Sequence, residues 1–127
     1  MEIERMKSDL KMENLYFSKC LVERSTKVEN GAYKADLHRS VNKTGEHLYD
    51  VELQLSIEKE DLSVLVIAKA QFLYEASDYT MEESIVKNNT VAIMFPYIRS
   101  QVTLLTTQPG ITPILLPLIN TTKYEER

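Results

Sequence analysis

The side chains able to do chemistry are few, and their spacing is loose. His38 and His47 are the only two histidines and flank a predicted turn, with Asp36 and Asp50 nearby. No HxH or HExxH spacing occurs, so a metal site has no motif behind it and solvated strand positions are the simpler reading. Cys20 is the single cysteine. As a nucleophile it would need a histidine base within hydrogen-bond reach, and as a lone thiol it can form no intrachain disulfide. Asp50 and Glu52 share one face of a predicted strand, about 7 Å apart, a separation that suits paired carboxylates. The same face continues with Gln54 and Glu58, as a solvated strand does. Glycines stand apart at 31, 45 and 110, so there is no phosphate-cradling loop. Nothing here assembles an enzyme active site, and no cofactor is expected.

The elements that position these residues follow from hydrophobic periodicity. Leu15–Val28 reads as a first strand with apolar groups on both parities, which suggests cover on both faces. Asn30-Gly31 supplies a turn, and Lys34–Val41 makes a second strand with Ala35, Leu37 and Val41 on one face. Leu48–Ile57 alternates strictly: Tyr49, Val51, Leu53, Leu55 and Ile57 are apolar and the residues between them polar. Leu62–Ala76 is a fourth strand, and short turns predict an antiparallel meander. Thr80-Met81-Glu82-Glu83 has the form of a capping box and predicts a short helix to about Lys87. Asn88-Asn89-Thr90 then predicts a second N-cap before a longer helix over Val91–Thr107, bent at Pro96. Ile111–Asn120 contains Pro113 and Pro117 and reads as an extended apolar segment. Met1–Glu13 is a polar stretch with a thin apolar stripe, read as an N-terminal arm or marginal helix.

Length and charge bound the function. The chain has 127 residues, 15 Lys+Arg, 19 Asp+Glu and a net charge of −4, which fits one domain over 1–127. An acidic chain without a cationic stripe is not expected to bind nucleic acid. No apolar run approaches the roughly 20 residues that cross a bilayer, and the charged start lacks the apolar run of a signal peptide. A single cysteine fits a reducing compartment, so a cytoplasmic location is expected. The predicted long helix carries Val91, Ile93, Met94, Phe95, Tyr97, Ile98, Val102, Leu104 and Leu105, more than one stripe. One stripe covers a sheet; the surplus predicts an interface, the alternative being that the proline-rich segment folds back and hides it.

VAIMFPYIRSQVTLL, with Phe95-Pro96-Tyr97 followed by Arg99, resembles the "LFPYAR" signature of the SecB-type protein-export chaperones. KADLHRSVNKTGEHLYDV (34–51) resembles that family's second strand and the entry to its third. Leu48-Tyr49-Asp50-Val51 stands where the family has "VYEV", and Leu115-Leu116-Pro117-Leu118 where it has "LAPV". The likeness covers roughly Tyr16–Asn120. It implies an α+β subunit, a four-stranded antiparallel sheet with helices packed on one face. It further implies a homo-oligomer, dimer or tetramer, and ATP-independent holding of unfolded or preprotein polypeptides in hydrophobic grooves for protein transport. Client-contact residues are expected among Phe95, Tyr97, Leu104, Leu105, Ile114 and Leu116, with Phe72 and Tyr74 as the supporting floor. The connection between the first two strands is shorter than in the family, little chain remains for a lid helix, and the C-terminal tail that engages SecA is missing. Delivery to SecA is therefore left open, and a dedicated chaperone of a single partner such as an antitoxin is the second expectation. A small ligand-binding or thioesterase-like domain is the rival from another class; it would need a buried polar group near the helix and a closed pocket.

Overall fold

The computed structural model describes residues 9–24 and 32–117. Among the described residues, four strands, β1 (Leu10–Arg24), β2 (Lys34–Gly45), β3 (Leu48–Lys59) and β4 (Leu62–Tyr74), form one antiparallel sheet, covered on one face by one helix, α1 (Glu82–Leu105). This is the expected α+β architecture. The strand order β1-β4-β3-β2 departs from a simple meander. Only β2, β3 and β4 follow one another; β1 lies at the opposite edge from β2, paired with β4. Asn30-Gly31 favours a tight hairpin by its composition, but these two residues lie outside the described ones. Phe17 lies across from Ala68 on the inner face, and Leu21 across from Leu65 on the outer one.

β1 also explains its own apolar pattern. Its register against β4 slips between Glu13 and Tyr16 and again between Phe17 and Lys19. Each slip adds one residue and flips the parity, so Met12, Phe17, Cys20 and Val22 all lie opposite inward-facing residues of β4. The two-sided pattern thus comes in part from two bulges; Tyr16 and Leu21 remain on the outer face, exposed and not covered as expected. Asn14, in the first bulge, takes φ 56, and its side-chain amide donates to Gln71 Oε1 at 2.9 Å. Leu10–Glu13 are strand where a marginal helix is expected; residues 1–8 of that stretch lie outside the described ones.

The core sits between the inner sheet face and α1. Every inward residue of β3 from Tyr49 to Ile57 and of β4 from Leu62 to Tyr74 is buried. Each large apolar side chain buried on these two strands contributes on the order of 1.5–3 kcal/mol. Val86, Val91, Met94, Phe95, Ile98 and Val102 bury the facing side of the helix, which packs mainly on β4. The small Ala68 and Ala70 in the middle of β4 leave room for a helix to lie close.

Two expected helices are one continuous helix. Thr80 does not cap it: its N–H and hydroxyl both go to the Asp78 carboxylate, at 2.9 and 3.1 Å. Glu83 pairs forward with Lys87 at 3.3 Å rather than reaching back. Thr90 donates to Val86 O at 2.5 Å from a buried position, so it bonds within the helix and starts no new one. Pro96 lies inside the helix on its exposed side, where the carbonyl left without a helical donor can face water.

Candidate functional site

The predicted contact residues separate into two groups. Phe72, Tyr74, Phe95, Ile114 and Leu116 are buried in the core, and Leu105 is half-buried against it. Tyr97 and Leu104 remain open, 48% and 68% exposed. Seven residues apart on a helix, they stand on nearly the same bearing, about 10 Å along the axis. Sequence periodicity cannot divide these groups, because whether a second apolar stripe is covered depends on where the segment after the helix lies.

That segment, 111–117, runs back along α1 in extended form. Ile114 and Leu116 turn inward, each 7% exposed, while Leu115 between them is 75% exposed. Thr106 Oγ1 accepts from Ile114 N–H at 2.9 Å while donating to Val102 O at 2.8 Å. Thr103 Oγ1 donates to Ile114 O at 2.9 Å. At the start of the segment the Arg24 guanidinium, at the end of β1, donates to Pro109 O. Gly110 adopts φ 82 directly against that guanidinium; an added Cβ would lie 3.0 Å from it. The left-handed backbone there favours glycine, whereas the guanidinium, at the end of a flexible side chain, could give way. A groove of about 300 Å³ remains beside Leu115 and Leu116, bordered on the helix by Arg99, Ser100 and Thr103.

At the other end of α1 lies a cluster that the sequence reading does not single out. Glu82, in the first turn, is 7% exposed. One of its carboxylate oxygens accepts from the Tyr49 hydroxyl on β3, and the other lies 2.5 Å from His47 Nδ1 in the β2–β3 turn. His47 takes φ 60 and stacks on Tyr79, with ring centroids 4.1 Å apart. Burial raises the Glu82 carboxyl, but the hydrogen bonds from Tyr49 and His47, with the nearby His47 and Lys43 charges, outweigh it and hold it below its ordinary range. Tyr49 is pushed up to about 12, first by burial and then by its bond to Glu82. The adjoining groove, about 510 Å³, is bordered by Val41, Lys43, Tyr79 and Val86. The signal that could have found Glu82 is an acid at a first-turn position that faces the sheet; the apparent capping box masked it.

The other chemistry-bearing residues stay apart. Asp50 and Glu52 lie on the outer sheet face, opposite Gln71 and Lys69, at an open trough of about 460 Å³. His38 is exposed on β2. Cys20 is exposed near the helix, its sulfur 3.6 Å from Gln101 Nε2. Among the described residues, no group of three or more His, Cys, Asp or Glu side chains is arranged to hold a metal ion. No described helix is long and apolar enough to cross a membrane.

No protein-family model matches the chain, and no curated protein matches it in sequence. Solved structures do match. A SecB-like chaperone from Mycobacterium tuberculosis, solved in complex with a ChAD peptide from the HigA1 antitoxin, superposes with a TM-score of 0.72 at 15% identity, over 92% of each chain. A protein of unknown function from Streptococcus agalactiae superposes with a TM-score of 0.53 at 10% identity, over 86% of this chain and 97% of that one. The sheet and helix described above therefore have a SecB-like fold.

Proposed function

We propose that this protein is an ATP-independent chaperone that holds unfolded polypeptides on an apolar surface along the second half of α1. The observation that carries the reading is the exposure of Tyr97 and Leu104 on one bearing of a helix whose other side is already buried. With Leu115 across the groove, these two large side chains form an exposed apolar surface that a partner can cover. Phe95 and Leu105, buried or half-buried beneath them, give this surface a firm base, and Phe72 and Tyr74 form the floor of the core below. Holding works by differential binding: a surface that takes extended apolar segments binds the unfolded chain and not the folded one, which hides them. A homo-oligomer, dimer or tetramer, would unite several such surfaces, and transport of preproteins in the cytoplasm is one setting for this activity.

A dedicated role is the second reading, favoured by the antitoxin peptide bound to the mycobacterial SecB-like chaperone. A small-molecule enzyme is less well supported. Its buried polar group would be Glu82, whose carboxylate instead ties Tyr49 and His47 to the start of the helix. The test is light scattering of a reduced, aggregating client. Equimolar protein without nucleotide should suppress it, whereas unchanged aggregation would refute the reading. Co-purification of one predominant partner in place of many clients would favour the dedicated role.

A further inference from the structure

The segment after α1 has the features of a bound peptide. Two of its seven residues, Pro113 and Pro117, carry no N–H, so it cannot join the sheet as a regular inner strand. It lies extended, with Ile114 and Leu116 in and Leu115 out, the alternation an extended ligand shows in a groove. The N–H and C=O of Ile114 are met by helix side-chain hydroxyls, Thr106 and Thr103, both at 2.9 Å. A hydroxyl that reaches a backbone group reads no side chain, so this pair can take any non-proline residue. The open groove beside Leu116 runs past Ser100, which lies on α1 between Tyr97 and Leu104.

We propose that residues 111–117 are an internal stand-in for client: they occupy a site on α1 whose Thr103 and Thr106 hydroxyls clamp the backbone of an extended segment with apolar residues two apart. This deepens the holdase reading and rests on it. Ile114 and Leu116 then do not contact clients; they fill the two apolar positions that a client's residues take over. A client enters by displacing the strap and continues along the helix onto Tyr97 and Leu104. The fit selects uncharged side chains at the two inward positions and is indifferent to the one between them.

The test locks the strap in place. In the full chain carrying Cys20→Ser, cysteines replace Ser100 and Leu115, which border the same groove and are both exposed. They are joined by a thiol-reactive linker containing a cleavable disulfide. The probe is a fluorescent synthetic peptide, ITPILLPLI, the chain's own sequence from 111 to 119. Before linking, the peptide should bind, and a version with Asp at the positions of Ile114 and Leu116 should bind at least tenfold more weakly. Linking should weaken binding of the peptide and of an unfolded client at least tenfold, and cleavage should restore both. Equal binding before and after linking, by protein with an unchanged circular dichroism spectrum, would overturn the strap's role while leaving the holdase reading intact. Absence of client binding by the unlinked and the natural protein alike would instead refute the holdase reading.

Discussion

The Tyr49 hydroxyl of β3 donates to the Glu82 carboxylate in the first turn of α1, joining the sheet to the start of the helix through a buried, charge-assisted hydrogen bond. The same carboxylate holds His47, so one acid ties together a hairpin turn, a central strand and the helix. Where a helix begins without a side-chain cap, this bond fixes its entry onto the sheet.

Removing one partner should therefore cost more than the bond itself is worth. Tyr49→Phe leaves a buried carboxylate one donor short and should destabilise the fold by about 1–3 kcal/mol in urea unfolding. Replacing both partners, with Tyr49→Phe and Glu82→Leu together, should cost less than the sum of the single changes. Strict additivity would show that the two residues are not coupled.

The pH dependence follows with a definite sign. Glu82 is held below its ordinary 4.5, so the folded state binds fewer protons than the unfolded one; its contribution is present above pH 4.5 and is lost as pH falls through the folded value. Tyr49, raised from 10.0 to about 12, acts oppositely: its contribution is full below pH 10 and is lost between pH 10 and about 12. Asp78, lowered by the Thr80 N–H and then its hydroxyl, adds to the acid side, and Tyr74, raised first by burial, to the alkaline side. Unfolding free energies measured from pH 3 to 11 should show both declines. Glu82→Gln should flatten the acid one and Tyr49→Phe the alkaline one; slopes unchanged by these substitutions would contradict the assignment.

Packing against the middle of β4 should be intolerant of size. Ala68 lies fully buried between Leu53 and Phe17 on the neighbouring strands. Ala68→Leu should cost about 1–3 kcal/mol through overpacking, read from the urea midpoint. A neutral result would mean that the helix stands further from the sheet than described.

The exposed helix stripe should behave in the reverse way. Tyr97→Ser and Leu104→Ser remove side chains that support no core, so each should change stability by less than about 0.5 kcal/mol. A large loss of stability in monomeric protein would show that these residues are packed and not displayed.

Much of this was legible in the residues, and the exceptions have physical causes. β3 and β4 follow from strict alternation because a one-residue slip would turn a whole apolar face to water. The SecB-like fold followed from the order of FPY, LYDV and LLPL along the chain. The pairing of β1 with β4 did not, since strand order depends on contacts far apart in sequence that local turn residues do not report. The bulges at Asn14 and Ser18 shifted the parity of β1, so that Phe17, Cys20 and Val22 share a face despite their spacing. The capping-box pattern at Thr80 lost to Asp78, an acceptor two residues away. Among the candidate site residues, Tyr97 and Leu104 are displayed, whereas Ile114 and Leu116 are buried, because their exposure depends on a strap whose path no periodicity encodes.

Chains that lack a fold should bind through Tyr97, Leu104 and the groove beside them. The most direct measurement is a titration of a fluorescent, permanently unfolded client, reduced and carboxymethylated, into the natural protein and the Tyr97→Ser/Leu104→Ser variant. Saturable binding without nucleotide is expected, at least tenfold weaker in the variant, and no binding of the same client in its native disulfide-bonded state. Equal affinity for folded and unfolded client, or equal binding by the variant, would contradict this expectation.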